Sequence, residues 1–420
     1  MPERVEVYYN GWGEHWHWGS LVSTTAITGR PLIAFEYSDH ALRRGLELSA
    51  FKLPLRGPRF HRDFPSHQMG LPGPVYDSLP DGWGLLLMDR LFKQRGLAVA
   101  RVGPLDRLTY LGANAMGALS YVPVASDMEA SAQTIPLSQL AAEVKEVLQG
   151  EGASFLQRLL QMGGSPHGAR PKAMLYLDPS TGRFSTVETP GAQAWMVKFP
   201  AQHEAPEVCA IEAVYAQCLR DCGIPTPDTA FFPLPHGQSA FASRRFDRNG
   251  GVCVPMQSLA AFTGADFRTP GALDYKTFLR ATHFCTNDVR EKAAAFERAV
   301  FNVAFHNRDD HPKNFAYLMS ASGQWTLAPA YDVTFNEGPG GYHQMDVMGE
   351  ALNIERQHLL RLAEQEAELS PAAAKAIIDR VCEAANGFSA SARHLLPGQI
   401  SKGTLSYIQG RIDSNVERLR

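Results

Sequence analysis

His306-Asn307-Arg308-Asp309-Asp310-His311-Pro312-Lys313-Asn314-Phe315, with Tyr331-Asp332-Val333 a short way behind it, is the stretch on which the reading of this chain turns. It sets two acids, a His, a Lys and an Asn in a short turn between apolar segments. Residues 302–305 ahead of it read as a helix end. Residues 315–319 read as a short strand, Gly323 as a turn and 325–327 as the returning strand, with Asp332 just past that hairpin. A polar, solvated loop shaped by turn-forming Asn and Asp would look similar, so the stretch alone leaves both readings open.

The chemistry that such a loop suits is phosphoryl transfer. That reaction needs a carboxylate beside the incoming hydroxyl and oxygen ligands for magnesium near the leaving phosphate. An acid followed closely by an Asn, then an acid across a hairpin, meets both needs in the manner of a protein kinase. Magnesium keeps several waters, so two protein oxygens suffice. On this reading Asp309 is the catalytic acid or base, and Asn314 and Asp332 are the metal ligands.

Working outward, the 420 residues exceed one typical domain. The composition, 45% hydrophobic and 20% charged, is that of a globular chain able to bury a large core. A formal net charge of −3 gives no global basic field for nucleic acid. The six Cys form no Cys-x-x-Cys pair and no zinc-spaced cluster with His, which points to a reducing cytoplasm. The N-terminus carries no signal-peptide pattern, and no apolar run is long enough to span a membrane.

Residues 4–123 read as mainly strands: 5–8, 16–22, 32–37, 46–54 and 117–122, with helices over 83–95 and 105–111 and Asp81 placed to cap the first. The aromatics from Tyr8 to Trp18 fit core and hairpin pairing better than a binding stripe. Residues 124–138 read as a linker, followed by helices over 137–149 and 155–162. Gly163-Gly164-Ser165-Pro166-His167-Gly168-Ala169-Arg170-Pro171-Lys172 then runs into a strand. It is either a phosphate-cradling loop or an ordinary Gly/Pro turn, and it is not a Walker A sequence. Lys198, at the end of the strand 194–199, could hold nucleotide phosphates or be a surface strand-end Lys. Glu212 lies on the following helix, 207–222, where it could pair with Lys198. Strands over 229–232 and 239–242 follow, then helices over 275–285 and 289–307. A mobile loop is expected at 338–341 and helices over 357–368, 371–386 and 400–419.

The order of strand, Gly-rich loop, strand with Lys, helix with Glu and two strands is that of a kinase N-terminal lobe. With Leu79-Pro80-Asp81-Gly82, Ser165 to Lys172, Val197-Lys198-Phe199-Pro200, Arg245-Phe246-Asp247-Arg248, Asn307 to Phe315 and Pro329 to Val333, the chain resembles the HipA family of serine/threonine kinase toxins over nearly its full length. The resemblance implies an α+β, protein-kinase-like two-lobed fold. A mainly-β N-terminal subdomain (1–124) would precede a kinase N-lobe (125–248) and an all-helical C-lobe (249–420).

It further implies that Asp309 is catalytic and that Asn314 and Asp332 bind Mg2+. ATP is contacted by Ser165, His167, Gly168, Lys198, Arg244, Arg245, Phe246 and His311, with Glu212 in a supporting ion pair. Ser165 matches the serine that family members autophosphorylate, and a phosphate there would add charge where the ATP phosphates sit, expelling the loop and switching the kinase off. The implied partners are a helix-turn-helix antitoxin, which alone touches DNA, and a protein substrate of the aminoacyl-tRNA synthetase kind. Pro166 and His167 depart from the smaller or apolar residues of many members. A small-molecule kinase on the same scaffold, or a catalytically silent corepressor of an antitoxin, are the competing functions.

Overall fold

Alternation decides the first sheet. Val5, Val7 and Tyr9 are buried while Arg4 points to solvent, so one face of the strand Arg4–Tyr9 makes core. In the computed structural model, which describes residues 2–25, 31–125, 133–163 and 167–420, this strand lies between Trp16–Thr25 and Leu119–Val122. Pro31–Tyr37 and Phe60–His61 extend the sheet, all antiparallel. Tyr9 pairs directly with Trp16 and stacks on it at 4.8 Å, and Trp18 packs on Phe35 at 4.6 Å. The aromatic run is therefore core, each fully buried ring contributing roughly 1.5–3 kcal/mol.

The chain divides into two compact units. The first comprises Met1–Pro206, Phe232–Gln257 and Met319–Gly323; the second comprises Glu207–Phe231, Ser258–Leu318 and Gln324–Arg420. Besides the sheet above, the first unit holds the helix Gly82–Gln94 and the helix Pro104–Leu111. In its second antiparallel sheet, Arg183–Ser185, Lys172–Asp178, Gln193–Lys198 and Ser239–Arg244 lie side by side in that order.

The second unit is mainly helical and carries the expected hairpin, Ala316–Met319 with Trp325–Leu327. The helices Val208–Asp221, Tyr275–Thr286, Val289–Ala304, Pro371–Asn386 and Lys402–Leu419 bury one face each in a core that includes Tyr215, Phe278, Phe296, Phe301 and Ile412. Asp274, Asp288, Ser370 and Ser401 cap their helices through side-chain oxygens. The fold class is thus α+β, two-lobed and kinase-like.

Two local expectations fail. Residues 46–54 form no strand, because their donors are spent on turns: Leu53 N–H donates to Ser49 O at 2.9 Å, and Leu55 N–H donates to the Glu47 carboxylate at 2.7 Å. Asp81 occupies the N-cap of Gly82–Gln94 but makes no side-chain cap bond. In the loop at 338–341, Gly341 O accepts from the Arg308 guanidinium. Helices at Asp39–Arg44 and Phe388–Leu395 were not anticipated. Ser165 lies outside the described residues.

Candidate active site

The segment 306–315 forms at the end of the helix Val289–Ala304, where His306 turns the chain with φ +57°. Asn307 and Asn336 then bridge as neighbouring backbone segments, Arg308 N–H donating to Asn336 O and Asn336 N–H to His306 O. Gly338, at φ +71°, lets that segment pass close: a Cβ there would meet Tyr342 O at 2.1 Å and Arg308 Cβ at 2.7 Å.

The two adjacent acids receive opposite environments. Asp310 is 0% exposed at its side chain, whereas Asp309 is 40% exposed. A buried carboxylate must be satisfied. Asp310 Oδ2 accepts from Tyr275 Oη and from His343 Nδ1, both at 2.8 Å, and its Oδ1 accepts from the Gln344 N–H at 2.8 Å. Tyr275 Oη in turn accepts from Asn302 Nδ2 at 3.0 Å, and Asn302 Oδ1 accepts from Asn307 Nδ2 at 2.8 Å. Burial, then the Asp310 charge, push the Tyr275 phenol far above its ordinary range, so it stays a donor. Asp310 is the anchor of this loop.

Asp309 is the acid left toward solvent. Its Oδ1 accepts from Gln344 Nε2 at 2.7 Å, while His311 Nε2 stands off at 3.8 Å. Asn314 Nδ2 donates to Asp309 O at 2.7 Å, which turns its Oδ1, a hard oxygen suited to magnesium, away from that carbonyl. Tyr331 Oη donates to Lys313 O at 2.8 Å and ties the segment before Asp332 to the same loop. Asp332 is half-buried with φ +55°, a conformation uncommon for a non-glycine residue. Asn314 and Asp332 both carry hard oxygens of the kind that magnesium takes. Lys313 is buried, its ammonium 4.6 Å over the Phe267 ring, and His311 packs on the same ring at 5.4 Å.

Behind the loop, His306 donates from Nε2 to Glu337 at 3.1 Å and accepts at Nδ1 from Asn415 Nδ2 at 3.1 Å. Burial and the Arg308 charge push its pKa down to about 4, so it is neutral at pH 7.

In the first unit Lys198 is buried at the end of Gln193–Lys198, directly across from Lys172, which is buried too. Of the two readings of Lys198, the surface one is excluded. The Lys172 ammonium donates to His167 O. Arg244 ends the strand Ser239–Arg244, and Phe246 is half-buried beyond it. Arg245 is buried, its guanidinium bound twice to Asp247 at 2.9 and 2.8 Å, so its side chain is committed within the protein. Asp247 also accepts from Gly117 N–H at 2.9 Å, and Arg248 donates to Ala115 O and Gly117 O. Burial alone would raise the Asp247 pKa; Arg245 and Arg248 overcome that and hold it well below the usual carboxylate range. His167 and Gly168 follow Ser165 and rest against residues 79–83. Glu212 is buried on the helix Val208–Asp221 of the second unit. The sequence reading missed Asp310, Tyr275, His343 and Gln344.

Two family models match the chain: the HipA-like C-terminal domain over residues 164–387 and the HipA N-terminal domain over 12–122. No curated protein matches. Among solved structures, HipA of the Shewanella oneidensis MR-1 toxin–antitoxin system, in complex with HipB and its operator DNA, superposes with a TM-score of 0.71. It is 17% identical, and the match covers 99% of this chain and 96% of that one. A proinflammatory kinase of Helicobacter pylori, CtkA, gives a TM-score of 0.40 at 14% identity, over 54% of this chain and 87% of that one. Among the described residues no helix is long and apolar enough to cross a membrane.

Proposed function

The chain belongs to the HipA family, and we propose that it is an ATP-dependent serine/threonine protein kinase acting as the toxin of a toxin–antitoxin pair. The observation that carries this reading is the division of labour between the two acids. A loop that buries and saturates Asp310 while holding Asp309 toward solvent is built to present one carboxylate.

Asp309 accepts or orients the proton of the incoming hydroxyl. Asn314 Oδ1 and Asp332 hold Mg2+, which when bound neutralises charge on the β- and γ-phosphates. Lys198 and the Gly-rich loop at Ser165, His167 and Gly168 take the nucleotide phosphates, and the backbone of 244–246 takes the adenine. His311 completes the ATP contacts, the role that the family resemblance assigns to it. The partner is a helix-turn-helix antitoxin, through which the chain reaches DNA. The substrate is a translation component such as an aminoacyl-tRNA synthetase, with Ser165 modified in cis or in trans.

Intact mass after incubation with Mg-ATP tests this. One added phosphate in the wild type, absent from Asp309→Ala and from Ser165→Ala, is the expected result. Unmodified wild-type protein that binds ATP yet gains no phosphate and labels no cell-extract protein would sink the kinase reading.

A further inference from the structure

Asp81 stands at the N-cap of the helix Gly82–Gln94, where an Asp ordinarily accepts an N–H of its own helix. It makes no such bond. Its Oδ1 accepts instead from the N–H of Gly168, far away in sequence on the strand-side end of the Gly-rich loop. The exchange is returned: Trp83 N–H donates to Gly168 O at 3.1 Å, and Trp83 Nε1 donates to Lys172 O at 3.2 Å. His167 Nε2 lies 3.0 Å from Leu79 O. The approach depends on glycine. Gly82 sits at φ +42°, and a Cβ there would meet Gly168 O at 2.5 Å and Ala169 Cα at 2.8 Å. Leu79 to Trp83 thus shape a cradle for His167 and Gly168.

We propose that the Asp81-Gly82 turn is a positioning element for nucleotide binding, setting the Gly-rich loop from the N-terminal region. Three observations converge on this: a helix cap given up, a conformation that favours glycine, and three contacts with the consecutive residues His167 and Gly168, joined by a fourth with Lys172. Asp81 acts through the Gly168 backbone and is not catalytic. The inference rests on the Gly-rich loop receiving ATP phosphates, as proposed above. With the Gly168 N–H spent on Asp81, the loop backbone beside it is set before the ligand arrives, which lowers the ordering cost of binding.

The test is calorimetric titration of the full chain with Mg-AMPPNP, beside Asp81→Ala, Asp81→Asn and Gly82→Ala. Asp81→Ala and Gly82→Ala should weaken binding about tenfold, a typical worth for one charge-assisted hydrogen bond. Asp81→Asn, which keeps an acceptor oxygen, should recover most of it. KM for ATP should rise with the loss of affinity while kcat changes less. Folded Asp81→Ala and Gly82→Ala proteins that bind as the wild type does would overturn the proposal. Should either variant fail to fold, amide exchange in the unmodified protein decides: Gly168 must be protected, and fast exchange there overturns the proposal. Wild-type protein that binds no nucleotide would instead remove the kinase reading, and this inference with it.

Discussion

Asp309 and Asp310 are chemically identical neighbours, and only their surroundings separate them. Asp310 is saturated by Tyr275, His343 and the Gln344 N–H in a buried site. Removing its carboxylate strands those donors, so Asp310→Ala should cost about 3–5 kcal/mol in urea unfolding. Asp309→Ala, at a half-exposed side chain, should change stability by less than about 1 kcal/mol while abolishing phosphate transfer. Equal stability losses in both variants would contradict the assignment. Gln344 binds Asp309 by its side chain and Asp310 by its backbone. Gln344→Leu should therefore lower kcat by about 10–100-fold with KM for ATP little changed, since misplacing a reacting group costs rate more than affinity. The motif singled out Asp309 beforehand, but neither the burial of Asp310 nor the Gln344 clamp was legible. The acid-rich turn announced itself, but nothing local marks a Gln thirty-odd residues on as its clamp, and two adjacent acids carry no sign of which one is buried.

Elements were easier to read because their signals are periodic. The helices Val208–Asp221 and Pro371–Asn386 follow apolar spacing, and Ser370 caps the second as its sequence suggests. The failure at 46–54 shows the limit: Leu48 and Leu53 are buried, yet the backbone closes on itself instead of pairing. A consequence at this scale concerns the last helix, Lys402–Leu419. Its Asn415 holds His306 Nδ1, and its Tyr407 and Arg411 hold Glu337, the acceptor of His306 Nε2. Docking of that helix against the candidate catalytic loop therefore uses a neutral imidazole. With a native pKa of about 4 against about 6.5 unfolded, the unfolded chain binds the proton first as pH falls. The stabilisation is complete above pH 6.5 and is lost progressively toward pH 4. By pH 5 about 2 kcal/mol should be gone. Urea unfolding of the wild type and His306→Gln at pH 7 and pH 5 reads this directly. A wild type that loses no more stability than His306→Gln over that interval would refute it.

At the scale of the whole molecule, two-lobed α+β organisation was legible because motif order survives where single motifs are ambiguous. Lys198 alone suggested a surface residue; Lys198 after a Gly-rich loop and before a helix with Glu212 did not. What order cannot carry is association through space, such as Asp247 with Gly117 or Asp81 with Gly168. Charge is a property of the same scale. Forty basic against forty-three acidic residues leave a net −3. Several cations are already committed, as in Arg245 and Arg248 with Asp247, Arg107 with Asp89 and Arg280 with Glu366. Non-specific DNA affinity comes from released counterions and scales with the number of phosphates neutralised. A chain without a net basic field has little of it. In fluorescence anisotropy at about 150 mM salt, the chain alone should leave a labelled operator duplex unbound at micromolar concentration. With a helix-turn-helix antitoxin added, the antitoxin–DNA signal should rise again when the chain joins, and the salt slope should remain that of the antitoxin alone. Tight, steeply salt-dependent binding by the isolated chain would mean that a local basic face outweighs its overall charge, and that it reaches DNA by itself.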